Sequence, residues 1–163
     1  MKSPFLGSAL VLAASVFMVT AMPTADAQAP DWVATQQSFL TENAKKSGWK
    51  ATQSGLQYTV LKPGDGKTPK PAVGSEVTVH YEGRLIDGRV FDSSYQRNEP
   101  ATFPLSGVIM GWQEGVPLMR VGEVWEFAIP AALAYGDRDL GVIPPQSTLL
   151  FKIELLSAKT PAP

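Results

Sequence analysis

The feature that most constrains the fold is a strictly alternating run from Val77 to Leu85, followed closely by Asp87-Gly88. Apolar side chains fall on one side of this run and His80 falls on the other, which is the two-residue period of a strand with one buried face. Asp-Gly tolerates the positive φ angles that a tight hairpin turn requires. The run therefore predicts a half-buried strand that turns back into an antiparallel partner.

Four further runs have the length and alternation of strands, and turn residues separate them. They are Leu56 to Leu61, Arg89 to Phe91, Val124 to Ile129 and Thr148 to Leu156. The only helical candidate between Gly55 and Ala158 runs from Gly111 to Met119, and Pro117 keeps it short. The sequence thus predicts an α+β domain, an antiparallel sheet of about five strands with one short helix covering one face.

The N-terminus has the organisation of a secretory signal peptide. Lys2 is the only charged residue among the first 25, an apolar run extends from Phe5 to Val19, and Ala25-Asp26-Ala27 is a small-x-small cleavage pattern. A retained membrane anchor is the alternative, but the apolar run is shorter than the roughly 20 residues of a membrane span, and Pro23 ends it. We predict a signal peptide over residues 1–27, cleaved after Ala27.

Composition limits the chemistry that the rest of the chain can perform. Length favours one domain, which we place at residues 55–158, after a linker at 28–54 and before a flexible tail at 159–163. The formal net charge of −1 gives no reason to expect nucleic acid or an anionic membrane as a partner. The chain has no cysteine, which excludes disulfides, thiol nucleophiles and cysteine-ligated metal sites.

The linker contains one amphipathic pattern. With Asp31 as N-cap and Gly48 as a stop signal, it predicts a helix from Trp32 to Ser47. The stripe consists of Trp32, Val33, Gln36, Phe39, Leu40 and Ala44. A short helix of this kind is stabilised mainly by tertiary packing, so it docks either on its own domain or on a second copy of the chain.

Side chains suited to hydrolysis or metal binding are scarce. His80 is the only histidine, and a half-exposed sheet histidine is favoured over a general base with a nearby serine, because no triad spacing accompanies it. Asp137 and Asp139 could hold a cation, but a solvated loop is favoured because the ligand spacing of a calcium loop is missing. We predict no metal site and no cofactor.

Aromatic and branched apolar residues are concentrated beside loops. Each could simply fill the core, but together they have the composition of an apolar pocket with a few polar tips. The set comprises Tyr81, Phe91, Phe103, Val108, Ile109, Trp112, Tyr135, Ile143 and Phe151.

Five motifs in order resemble those of FKBP-type peptidyl-prolyl cis/trans isomerases, and the resemblance covers Gly55 to Ser157. They are Val79 to Gly83, Gly88 to Ser94, Val108 to Gly115, Ala134 to Gly136 and Ile143 to Phe151. The preceding segments, Phe39 to Lys46 and Ser54 to Tyr58, are similar to the junction in the exported bacterial branch named after the macrophage infectivity potentiator.

The resemblance implies a twisted antiparallel sheet wrapped around one helix, with Trp112 at the floor of a proline pocket. It implies that the Ile109 N–H and the Tyr135 hydroxyl donate hydrogen bonds to the peptide. By the resemblance Asp92 is an orienting group that bonds Tyr81 or faces the strained carbonyl; alternatively, it caps the turn that follows it. The implied catalytic residues are Tyr81, Phe91, Asp92, Trp112, Tyr135 and Phe151, and the implied substrate-binding residues are Phe103, Val108, Ile109 and Ile143.

The implied activity is isomerisation of X-Pro bonds in exported proteins, as a folding helper in the bacterial periplasm. Its partners would be proline-containing unfolded or partly folded polypeptides and macrolide inhibitors, with the chain a monomer or, through its N-terminal helix, a dimer. A peptide-binding chaperone with little turnover is the alternative. Ala101, which stands where many relatives have an aromatic residue, motivates that alternative.

Overall fold

The computed structural model describes residues 25–160. In chain order its elements are α1 (Ala25–Asn43), β1 (Lys50–Ala51), β2 (Gln57–Lys62), β3 (Glu76–Leu85), β4 (Val90–Ser93), β5 (Ala101–Pro104), α2 (Met110–Gly115), β6 (Val124–Ile129) and β7 (Leu149–Lys159). Single 3₁₀ turns occupy Leu105–Gly107, Val116–Leu118 and Ala131–Leu133.

The strands form one antiparallel sheet in the order β1-β2-β6-β7-β3-β4, and β5 pairs with β3 as well. The predicted α+β class is confirmed. The five predicted strands correspond to β2, β3, β4, β6 and β7. The sequence did not indicate β1 and β5, because strands of two and four residues are too short to show a period and no hairpin turn like the one before β4 marks them.

The alternation that predicted β3 is also its burial pattern. Val77, Val79 and Tyr81 are buried, whereas His80 and the other residues of the opposite face are partly exposed. β3 pairs with β7 along its whole length and also with β4 and β5, so it is an interior strand of the sheet. Its buried face contributes to the core.

Two glycines allow α2 to lie directly on the sheet. A Cβ atom on Gly111 would lie 2.5 Å from Ile129 Cγ2, and one on Gly115 would lie 2.6 Å from Phe127 Cε1. The predicted helix from Gly111 to Met119 is divided, since α2 ends at Gly115 and a 3₁₀ turn containing Pro117 follows it. The close approach buries Trp112, which is 4% exposed.

The N-terminal helix has different ends from those predicted. α1 begins at Ala25 rather than Trp32, so Asp31 lies inside the helix and is not its N-cap. It ends at Asn43 rather than Ser47, because after Ala44 the amides of Lys45 and Lys46 bond to carbonyls three residues back instead of four. Gly48, the predicted stop signal, has a φ of 84°.

α1 docks on its own domain chiefly through polar contacts. Asn43 Nδ2 donates to Gln57 Oε1 at 2.9 Å, and Gln57 Nε2 donates to the Leu40 carbonyl at 2.8 Å. Gln36 Oε1 accepts the Thr148 N–H at 2.9 Å. Of the predicted stripe only Gln36 is buried. Its apolar members Trp32, Val33, Phe39 and Leu40 are half-buried, and Ala44 is exposed.

The predicted signal peptide lies outside the described residues except for positions 25–27, which form the start of α1. None of the helices within residues 25–160 has the length and apolarity needed to cross a bilayer.

We expect Asn43→Ala to lower the free energy of unfolding by about 1–3 kcal/mol, because it removes a buried donor and leaves Gln57 Oε1 without its partner. Urea unfolding measures the change. Thr41→Ala is the matched control, since its exposed hydroxyl bonds only to the Gln37 carbonyl of the same helix. Equal effects of the two substitutions would show that the buried contact does not hold α1.

Candidate functional site

An open cavity of about 510 Å³ lies between the sheet, the N-terminal end of α2 and the loop that joins β6 to β7. All ten residues implied by the resemblance line it: Tyr81, Phe91, Asp92, Phe103, Val108, Ile109, Trp112, Tyr135, Ile143 and Phe151. Gly107, Ala134 and Arg138 complete the lining. The structure therefore brings residues from four strands, one helix and two loops to one place.

Trp112 forms the floor of the cavity, and three aromatic rings meet it edge to face. The ring centroids of Tyr81, Phe103 and Phe151 lie 5.4, 5.8 and 5.3 Å from that of Trp112, with interplanar angles of 82–88°. Phe91 extends the wall by packing against Phe151 at 5.6 Å. Edge-to-face packing fixes each ring, so the cavity is a preformed apolar concavity.

Gly83 makes this aromatic wall possible. In β3 it pairs with Asp92 of β4 and with Phe151 of β7. A Cβ atom at this position would lie 2.6 Å from Phe91 Cζ and 2.7 Å from Phe151 Cε1. The absence of a side chain lets both rings lie against the strand and reach the cavity.

The polar edge of the cavity is a closed triangle of hydrogen bonds. The Tyr81 hydroxyl donates to Asp92 Oδ2, and Arg97 Nη1 donates to Asp92 Oδ1 at 2.5 Å. Arg97 Nη2 also donates to the Tyr81 oxygen at 3.1 Å. Of the two interpretations of Asp92, the geometry matches the one in which its carboxylate orients Tyr81.

The triangle holds its members in fixed charge states. Partial burial of Asp92 opposes ionisation, but the hydrogen bonds from Tyr81 and Arg97 outweigh it, so the pKa of Asp92 lies below its ordinary value of 3.8. Burial, together with the hydrogen bond to Asp92, raises the pKa of Tyr81 above 10.0. Around neutral pH the carboxyl is therefore ionised and the phenol is neutral.

Two hydrogen-bond donors at the cavity are available to a ligand. Within residues 25–160 neither the Ile109 N–H nor the Tyr135 hydroxyl has a hydrogen-bond partner. Ile109 is the N-cap of α2, with extended φ and ψ of −59° and 154°, and Tyr135 follows the 3₁₀ turn Ala131–Leu133. Each is anchored by regular structure next to an apolar surface.

His80 lies on the opposite face of β3 and does not line the cavity. Its Nδ1 is 2.9 Å from Ser94 Oγ, and its ring stacks on Tyr95. The serine is wholly buried, and its hydroxyl accepts the Tyr81 N–H at 2.7 Å. This pair ties the turn after β4 to β3, and its buried hydroxyl is inaccessible to a substrate.

Both carboxylates of the β6–β7 loop accept hydrogen bonds from groups of the same loop. Asp137 accepts a hydrogen bond from Gln146 Nε2, and Asp139 Oδ1 accepts the Gly141 N–H at 2.8 Å. In the part of the chain that the structure describes, no three His, Cys, Asp or Glu side chains are grouped as a metal site would require.

Sequence reasoning did not identify Arg97 or Arg138. Arg97 follows Asp92 by five residues in an irregular turn, where no period indicates which side chains meet. Arg138 lies between two aspartates, so its sequence neighbours suggested an acidic loop rather than a cationic cavity wall.

Comparison with known proteins agrees with this geometry. Residues 67–156 match the family described as FKBP-type peptidyl-prolyl cis-trans isomerase. Residues 11–60 match the domain described as amino terminal to FKBP-type peptidyl-prolyl isomerase.

Three similar proteins illustrate the relationship. Peptidyl-prolyl cis-trans isomerase Mip of Coxiella burnetii is 52% identical over 76% of this chain and 53% of its own length. The FKBP-type 22 kDa peptidyl-prolyl cis-trans isomerase of Escherichia coli is 56% identical over 72% of this chain and 57% of its own length. The crystal structure of FkpA from Escherichia coli superposes with a TM-score of 0.77 at 43% identity, covering 85% of this chain and 63% of that one.

The chain thus spans little more than half the length of the first two relatives. The match to the family's isomerase region nevertheless includes β3 to β6, most of β7 and all of the cavity lining. On sequence, fold and cavity together, this chain belongs to the FKBP-type peptidyl-prolyl cis-trans isomerase family.

Proposed function

We propose that this chain accelerates rotation about X-Pro peptide bonds in exported polypeptides. The observation that carries the proposal is the preformed cavity with Trp112 as its floor and aromatic walls on three sides. A pyrrolidine ring is apolar and compact, and such a cavity removes it from water without any covalent step.

The reaction needs no proton transfer and no bond cleavage. Resonance of the amide opposes twisting by about 18–20 kcal/mol, so the uncatalysed rotation is slow. A site that binds the twisted amide more tightly than the planar one lowers this barrier. The twisted carbonyl is less dependent on hydration, so an apolar surrounding favours it over the planar form.

Each part of the cavity has a role in this mechanism. Trp112 supports the proline ring, and Tyr81, Phe91 and Phe151 enclose it, with Phe103, Val108 and Ile143 completing the apolar contact. The Ile109 N–H and the Tyr135 hydroxyl hold the peptide backbone. Asp92 keeps Tyr81 in place and presents a carboxylate to the electron-poor side of the twisting amide.

We place this activity in the bacterial periplasm, because residues 1–27 have the organisation of a cleaved signal peptide. Its partners would be unfolded or partly folded polypeptides that contain proline. Macrolide inhibitors of the family are a second class of ligand, and a cavity of about 510 Å³ falls within the usual volume of small-molecule sites.

We expect Trp112→Ala and Phe91→Ala each to lower kcat/KM for X-Pro peptides at least tenfold, which corresponds to about 1.4 kcal/mol of transition-state stabilisation. Val90→Ala is the matched control, because this neighbour of Phe91 is exposed and does not line the cavity. Circular dichroism establishes that each variant is folded. Full activity in folded Trp112→Ala would refute the assignment of the cavity.

The same proteins are then tested in proline-limited refolding of a denatured substrate. An isomerase accelerates the slow phase, whereas a peptide-binding chaperone slows refolding or leaves its rate unchanged.

A second expectation concerns pH. Because the pKa of Asp92 is lowered from 3.8 and that of Tyr81 is raised from 10.0, neither group changes charge between about pH 6 and 8. We therefore expect kcat/KM to be nearly constant over this range, and His80→Gln to retain it, since His80 faces away from the cavity. A bell-shaped profile that disappears in His80→Gln would contradict a mechanism without proton transfer.

We also infer that the chain is mainly monomeric at micromolar concentration, because α1 already docks on its own domain through Gln36 and Asn43. Sedimentation equilibrium tests the inference. Phe39→Glu is the informative variant, because Phe39 belongs to the half-buried stripe of α1. A dimer that dissociates on this substitution would show that the helix is an intermolecular contact.

A further inference from the structure

The loop between β6 and β7 carries three consecutive charged side chains, and only the central one lines the cavity. Asp137 is turned toward Gln146, and Asp139 is turned toward the Gly141 amide of its own loop. Arg138 contributes to the cavity wall beside Tyr135. The loop therefore uses its two carboxylates for its own structure and presents its cation to the site.

Arg138 also differs from the other arginines within residues 25–160. Arg84, Arg89 and Arg97 each form an ion pair with a carboxylate. Arg120 donates to the Thr68 carbonyl at 2.6 Å. Among the residues that the structure describes, the guanidinium of Arg138 has neither an ion pair nor a hydrogen bond, and its side chain is exposed.

The other charges at the cavity balance one another. Asp92 is the only carboxylate of the lining, and both of its oxygens are engaged, one by Arg97 and the other by Tyr81. The remaining lining is apolar or uncharged. Within the lining, a bound peptide would thus meet one uncompensated charge, the positive charge of Arg138; the neighbouring carboxylates of Asp137 and Asp139 do not line the cavity.

We propose that Arg138 is a specificity-determining residue that favours substrates with a carboxylate side chain in a residue adjacent to the proline. The proposal rests on the isomerase function proposed above and names a class of substrate for it. The guanidinium offers five N–H donors in a planar fork that matches a carboxylate, so the preference is for Asp or Glu over their amides and over Lys.

The expected preference is modest, because Arg138 is exposed. Exposed ion pairs change an equilibrium or a rate by about two- to fivefold, and salt screens them. At an ionic strength of about 1 M the Debye length falls to roughly 3 Å, so most of the preference should disappear.

The test compares kcat/KM for peptides that differ only in having Glu, Gln or Lys immediately before or immediately after the proline. For the unaltered protein at low salt we expect Glu to exceed Gln by about two- to fivefold at one of these positions, and Lys to be poorest there. Arg138→Gln should bring the Glu to Gln ratio to about one, because the Glu peptide loses more activity than the Gln peptide does. Arg138→Lys should retain part of the preference.

Arg89→Gln is the matched control. It removes the same charge from an exposed arginine that pairs with Asp87 and does not line the cavity, and it should leave the ratio unchanged. A ratio of one in the unaltered protein at both positions overturns the proposal. Equal losses for the Glu and Gln peptides in Arg138→Gln also overturn it, because Arg138 would then bind a neutral group.

Failure of the isomerase function itself would give a different result, namely no turnover of any peptide. The proposal is then decided by calorimetric titration of the unaltered protein and of Arg138→Gln with the Glu and Gln peptides. The proposal is supported if the unaltered protein binds the Glu peptide more tightly than the Gln peptide and Arg138→Gln does not. Equal Kd values of the two peptides for the unaltered protein refute it.

Discussion

The close approach of α2 to β6 is the constraint on which the site depends. Gly111 and Gly115 present bare backbone to Ile129 and Phe127, and a methyl group at either position would overlap those side chains. Because the helix lies this close to the sheet, Trp112 packs in T-shaped geometry against three aromatic rings of the strands, those of Tyr81, Phe103 and Phe151. The two glycines let α2 lie close to the sheet, so that its one large buried side chain, Trp112, can line the cavity.

Electrostatics at the cavity fix geometry rather than supply reactive groups. The triangle of Tyr81, Asp92 and Arg97 gives hydrogen-bond partners to both Asp92 oxygens and to the Tyr81 hydroxyl, which offsets the cost of partly burying a carboxylate beside aromatic rings. A group locked in one charge state is a poor general acid or base at neutral pH. The arrangement suits a reaction in which one bond rotates and no proton moves.

Most of the fold could be predicted because the longer strands show their period directly, and β3 is the clearest instance. The resemblance that predicts the ten pocket residues rests on motifs whose order and spacing are those of a known family. All ten line one cavity. The C-terminal end of α1 could not be predicted, since its docking there depends on the buried polar pair Asn43 and Gln57, neither of which belongs to the apolar stripe. Arg97 and Arg138 were not predicted because they lie in irregular turns, where the sequence has no period that indicates which side chains meet.

The contacts of α1 with the segment before β7 also affect the wall of the cavity. Trp32 Nε1 donates to the Pro145 carbonyl at 3.0 Å, and Gln36 accepts the Thr148 amide, so the helix holds the C-terminal end of the loop that carries Ile143. The backbone N–H of Gln146 donates to the Gly136 carbonyl at 2.7 Å, and this hydrogen bond joins the two ends of the loop. Conformational freedom is thereby confined to the tip of the loop. A peptide that enters the cavity has only that tip to immobilise, so the entropy lost on binding is smaller than a free loop of the same length would lose.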